Sequence, residues 1–95
     1  MLTSKQRANL RKMANSLSTP LQIGKSGITP EIVKAVDEHL EANEIVKIGI
    51  LESCDEAPKE AADMLSGRTR SDVVQVIGRK IVLFRRSKVK QIIEL

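Results

Sequence analysis

Aromatic side chains are almost missing: Phe84 stands alone, with no Trp and no Tyr in 95 residues. A sheet that recognises nucleic acid by stacking bases on its rings would have nothing to stack them on. Cysteine is as scarce. Cys54 by itself forms neither an internal disulfide nor a cysteine-based metal site, and it points to a reducing, cytoplasmic compartment. His39 is the single histidine, and none of the His–Cys or His–carboxylate spacings of metal sites surrounds it. No apolar run approaches the roughly 20 residues that span a bilayer. The opening Met1-Leu2-Thr3-Ser4-Lys5 is polar and basic, with no signal-peptide apolar segment after it. Carboxylates are plentiful, but they fall on helix faces where solvation explains them. Ser26 has no sequence neighbour that would activate it as a nucleophile. These absences point away from an enzyme, a metal, a cofactor or a membrane.

What is present is charge, unevenly spread. The net charge is +4, but residues 1–27 carry +5, residues 28–67 carry −7 and residues 68–95 carry +6. If the two chain ends meet in space they make one basic surface, suited to a polyanion, with an acidic surface elsewhere. A hydrophobic fraction of 41% is ordinary for a folded domain, and the length allows one domain with one core, spanning residues 1–95.

Periodicity divides that domain. Leu10, Met13, Ala14 and Leu17 form an apolar stripe on a helix from Thr3 or Ser4 to about Leu17, with Lys5, Arg7, Arg11 and Lys12 on its other faces. Ser18-Thr19-Pro20 breaks it, and Leu21 to Ile23 reads as a short strand. A second helix runs from Pro30 to Asn43, packing through Ile32, Val33, Val36 and Leu40. Glu44 to Leu51 reads as an interior strand, with Val46, Ile48 and Ile50 on one face and Ile45 and Leu51 on the other. A third helix is expected over Asp55 to Ser66, with Gly67 as its C-cap. Two β-branched runs, Val73–Ile77 and Ile81–Phe84, flank Gly78-Arg79-Lys80 as a hairpin. Arg79 and Lys80 fall at its tip, and Arg85, Arg86, Lys88 and Lys90 follow. Residues 91–95 would add a short strand or fray. The order is α-β-α-β-α-β-β, an α/β domain with a mixed four-stranded sheet and helices packed on it.

Gly24-Lys25-Ser26-Gly27 lies where the first strand stops and a helix begins. Thr29 is a natural N-cap and Pro30 fits the first helical turn. Loop amides, the positive end of the helix dipole and the Lys25 ammonium can therefore converge on one phosphate. The longer glycine-lysine-serine/threonine pattern of nucleotide-hydrolysing loops is absent. Without stacking residues, binding must lean on phosphates, loop amides and Arg/Lys contacts, a mode that favours structured RNA.

Several stretches together are similar to one family. They are Leu2–Arg7, Gln22–Pro30, Glu44–Lys47, Val74–Gly78 and Ile81–Arg85, and the chain resembles from end to end the CRM domain in its stand-alone, YhbY-like bacterial and archaeal form. The resemblance implies a fold similar to the C-terminal domain of translation initiation factor three, with the last strand antiparallel to the others. It also implies RNA binding through a GxxG loop like that of KH domains, and association with ribosomal RNA in precursors of the large ribosomal subunit. The expected RNA-binding residues are Gly24, Lys25, Ser26 and Gly27, joined by Lys5, Arg7, Arg11, Lys12, Arg79, Lys80, Arg85 and Arg86. A monomer is expected, because the sheet edge at Leu21 to Ile23 is short. The alternatives are a protein-interaction module or a DNA-binding protein using the same basic surface.

Overall fold

Both faces of one sheet are covered, and the alternation along β2 shows how. The computed structural model describes residues 2–89 and 91–93. It contains α1 (Ser4–Ala14), β1 (Leu21–Ile23), α2 (Pro30–Asn43), β2 (Ile45–Ile50), α3 (Pro58–Thr69), β3 (Asp72–Ile77) and β4 (Lys80–Phe84). Side chains on a strand point alternately to opposite faces. On β2, Val46, Ile48 and Ile50 join Ile23, Val36, Leu40, Leu65, Ile81 and Leu83 in the core beneath α2 and α3. Ile45 points the other way, into a second core with Leu10 and Ala14 of α1, and with Val74, Val82, Phe84 and Ile93. Ile93 packs in this second core with α1, so the two ends of the chain share one face of the sheet.

The strand order is β1-β2-β4-β3. β1 runs parallel to β2, and β4 is antiparallel to both β2 and β3, which is the mixed sheet expected. Pairing of Ile23 with Ile50, and of Gly49 with Lys80, places three connections at one end of the sheet. These are the Gly24–Gly27 loop after β1, the segment 51–57 after β2, and the Gly78-Arg79 turn. Both α2 and α3 begin at that end.

The helix boundaries show where local signals were overridden. Thr3 and Gln6 form a reciprocal capping box at the start of α1: the Gln6 N–H donates to Thr3 Oγ1 at 3.1 Å, and the Thr3 N–H to Gln6 Oε1 at 3.0 Å. The helix stops at Ala14 rather than about Leu17, where the Lys47 ammonium donates to the Ala14 carbonyl at 3.3 Å. A cation there also suits the negative end of the helix dipole. Leu51, expected on the second face of β2, lies past the end of the strand and is exposed.

α3 is displaced by three residues from its expected span of 55–66. Pro58 has no N–H and clashes in a helix interior, so it occupies the first turn and the helix cannot begin at Asp55. Nor does Gly67 end it. Buried Thr69 extends the helix by donating its hydroxyl to the Leu65 carbonyl at 2.7 Å, and Arg70 takes the left-handed cap at φ +57°. Residues 91–93 form no strand, and residues 94 and 95, part of the same expected tail, lie outside the described residues.

Candidate nucleic-acid interface

The Gly24–Gly27 loop is a closed turn. The Gly27 N–H donates to the Gly24 carbonyl at 3.0 Å, and Gly27 sits at φ +69°, a conformation open to glycine and costly for most other residues. Lys25 and Ser26 at the turn's centre are exposed. Among the described residues, their amides and that of Glu31 in the first turn of α2 have no hydrogen-bond partner. Thr29 caps the helix as expected, its Oγ1 accepting from the Ile32 N–H at 3.2 Å. Two free loop amides, a helix start and a lysine form a cradle that can accept an anion.

The segment 51–56 forms the back wall of that cradle. A Cβ on Gly24 would meet Ser53 Oγ at 3.2 Å and Leu51 Cδ1 at 3.3 Å. A Cβ on Gly27 would lie 3.0 Å from Glu56 Oε1. The glycines are thus the price of a close backbone approach, and the loop carries a carboxylate at its side.

The other expected contacts divide into two groups. Lys5, Arg11 and Lys12 on α1, and Lys80 on β4, are exposed and have no side-chain partner among the described residues. Among the described residues, no hydrogen bond or ion pair joins the α1 cations to the loop. Four arginines are engaged by partners within the protein instead, Arg79 while remaining exposed. Arg7 donates to the Val73 carbonyl, beside the bulge in edge strand β3. Arg79 folds back from the hairpin tip, its Nε donating to the Ile50 carbonyl at 2.7 Å and its Nη2 to Leu51 at 2.9 Å. Arg85 bridges Asp37 and Glu41, at 3.1 Å from the latter, and donates to the Thr69 carbonyl at 2.9 Å. Arg86 pairs with Glu44 at 3.3 Å, donates to the Ile93 carbonyl and lies 5.8 Å from the centre of the Phe84 ring. These four hold the domain together.

Glu41 and Glu44 are what sequence reasoning missed. Glu44 is fully buried and sits at φ +67° as the α2 C-cap. Its carboxylate accepts from the backbone N–H groups of Ser87 at 2.8 Å, Ile92 at 2.6 Å and Ile93 at 2.8 Å. Burial pushes this carboxyl up, but the Ile93, Ser87 and Ile92 amides and the Arg86 charge outweigh it and hold it below the ordinary range. Glu41 is held low chiefly by the Ser87 hydroxyl, which donates at 2.6 Å, then by the Lys88 amide. In the sequence Glu41 reads as solvated charge on an outward helix face and Glu44 as the first residue of the second strand.

Among the described residues, no group of three His, Cys, Asp or Glu side chains could hold a metal ion, and no helix is long and apolar enough to cross a membrane. Three helices around this mixed sheet, with a GxxG turn leading into a proline-started helix, define a class of small α/β domain. The chain belongs to the CRS1/YhbY (CRM) domain family, whose model matches residues 2–85. It is 41% identical over 95 residues to "Probable RNA-binding protein YqeI" of Bacillus subtilis, covering 100% of this chain and 99% of that one. The solution structure of SAV1595 from Staphylococcus aureus superposes with a TM-score of 0.83 at 44% identity, covering 100% of this chain and 99% of the other. A chloroplastic CRM-domain containing factor of Arabidopsis thaliana, CFM2, is 36% identical over 76 residues, which are 80% of this chain and 8% of that factor.

Proposed function

We propose that this protein binds structured RNA without catalysing a reaction, using the Gly24–Gly27 loop to hold the sugar–phosphate backbone. The observation that carries this reading is the loop itself. Unpaired Lys25 and Ser26 amides, a helix start and a lysine meet on a turn whose glycines leave the backbone bare. Membership of the CRM family, and relatives named as RNA-binding, support RNA as the polyanion. Lys5, Arg11, Lys12 and Lys80 supply further exposed charge. The resemblance to YhbY-like proteins directs the reading to ribosomal RNA in large-subunit precursors, in the cytoplasm. The protein acts there as a monomer, since β1 is a short edge and Arg7 covers part of the β3 edge.

The test has two stages. Affinity for a structured ribosomal RNA fragment should fall by about 0.7–0.9 log units per log unit of salt for each phosphate contact. It should exceed affinity for duplex DNA of matched length; equal or better DNA binding would turn the reading toward DNA. On a sucrose gradient of cell lysate, the protein should sediment with large-subunit particles. Indifference to RNA altogether would favour an acidic protein partner.

Glu56 gives a sharper expectation. A carboxylate about 6 Å from a bound phosphate costs about 0.7 kcal/mol at the dielectric of water, about threefold in affinity. Glu56→Gln should therefore tighten RNA binding about threefold at low salt, with the gain fading as salt rises. An unchanged affinity at low salt would place the phosphate away from Gly27.

A further inference from the structure

A groove of about 700 Å³ runs between α2 and the far end of α3. Pro30, Lys34 and Asp37 line one wall, and Arg68, Arg70 and Lys88 stand across from them. The central third of the chain, which supplies Lys34 and Asp37, is acidic overall.

The fold reverses that balance locally. Asp37 is taken up by Arg85, and Glu41 by Arg85, the Ser87 hydroxyl and the Lys88 amide. The side chains of Lys34, Arg68, Arg70 and Lys88 have no hydrogen bond or ion pair among the described residues. All four are exposed. The carboxylates in the groove are thus paired while four cations on its walls are not, and the free charge there is positive.

A second observation concerns Arg70. It ends α3 in the left-handed region, at φ +57°, a conformation that costs an L-residue stability. Gly67 could have ended the helix without strain three residues earlier, yet the chain passes it. Strain held at an exposed charged residue is commonly tied to function. Its effect here is to set Arg68 and Arg70 on the lip of the groove.

The third observation is continuity. Pro30 is the first residue of α2, so the groove reaches the end of α2 that follows the Gly24–Gly27 loop in the chain. From Pro30 to Glu41 it follows α2 for about 16 Å at the helical rise of about 1.5 Å per residue. Pro30 and Val33 give it some apolar surface, but among the described residues it offers no aromatic side chain to anchor a protein partner. A row of unpaired cations with nothing to read a base suits a sugar–phosphate backbone.

We infer that the groove between α2 and α3 is a second RNA-backbone site, in which Lys34, Arg68, Arg70 and Lys88 hold phosphates of the strand leaving the Gly24–Gly27 loop. This rests on the RNA-binding reading above. It makes the binding surface a track along α2 rather than a single loop.

Full-length protein would be titrated with a labelled structured ribosomal RNA fragment across a salt series, comparing wild type, Gly27→Asp, Arg68→Gln/Arg70→Gln and Lys34→Gln/Lys88→Gln. Each double variant should lower the slope of log affinity against log salt by about 1.4–1.8, which at 0.15 M salt amounts to about a 20-fold loss. Circular dichroism melts should match wild type, since none of these side chains has an internal partner. Arg70→Gly separates binding from stability. It should raise the melting temperature by about 4–8 °C by relieving the strain, while weakening RNA binding. Slopes and affinities within twofold of wild type in both double variants, with Gly27→Asp still impaired, would overturn the groove and leave the loop standing. No salt-sensitive RNA affinity in the wild type would overturn the loop reading and the groove with it.

Discussion

Gly27→Asp is expected to cost between about fivefold and nearly 1,000-fold in RNA affinity while leaving the domain folded. The fold should survive because Asp is among the few residues that visit the left-handed region readily, and Gly27 sits at φ +69°. The new Cβ would meet Glu56 Oε1 at 3.0 Å, the far end of a flexible side chain that can swing aside. The binding loss has a clear electrostatic source. A carboxylate about 4 Å from a phosphate costs about 1 kcal/mol in water and about 4 kcal/mol at a surface dielectric near 20. Gly27→Asn isolates that charge, since it has nearly the same shape and tolerates the same backbone. Fluorescence anisotropy should show Asn retaining most of the affinity that Asp loses. If Asn and Asp are equally impaired, close approach rather than charge governs the loop. If neither is impaired, the loop does not touch RNA.

Glu44→Gln should produce the largest loss of stability of any single change at this surface. One buried carboxylate accepts from three backbone N–H groups and faces Arg86. Glutamine offers one oxygen, and turns an N–H group toward donors that cannot accept it. Hydrogen bonds to a charged group are worth about 1.5–3 kcal/mol each, so losing two of them costs about 3–6 kcal/mol. In a domain of this size that is a fall in melting temperature of at least about 12 °C. Acid should act through the same group. Both Glu44 and Glu41 have carboxyls held below their ordinary value, so their contribution is complete above the unfolded value, about 4.3. It is lost as pH falls through the lower folded value. Melts between pH 7 and pH 3 should show the wild type losing stability below about pH 5, and Glu44→Gln losing less over that window. A variant as acid-sensitive as wild type would assign the effect to other carboxylates.

Local signals carried much of this structure. Leu21–Ile23 and Pro30–Asn43 are where punctuation and periodicity placed them, because Pro20, the glycine turn and the Thr29-Pro30 cap act within a few residues. The GxxG turn was legible for the same reason. The misplaced third helix shows the limit. Gly67 is a permissive stop, and buried Thr69 made continuing the better choice. The engaged arginines were invisible for a different reason. Arg7 meets Val73 across 66 residues, Arg85 meets Asp37 across 48 and Arg86 meets Glu44 across 42. No periodicity reports a partner at that separation, so a cation tied inside the fold looks the same in sequence as one free to bind. The groove was hidden likewise, because its walls come from α2, the end of α3 and the chain after β4.

The placement of the chain ends has an architectural consequence. Arg7 reaches Val73, whose strand partner is Leu83, and Ile93 is tied to Glu44, next to the pairing of Ile45 with Phe84. Both ends therefore sit at the pole of the sheet opposite the glycine turn. A polypeptide spliced on before Leu2 or after Ile93 would leave from that pole, with the glycine turn still open to solvent at the other. Such a unit can be strung into a longer chain, or repeated along it, with every copy still facing outward.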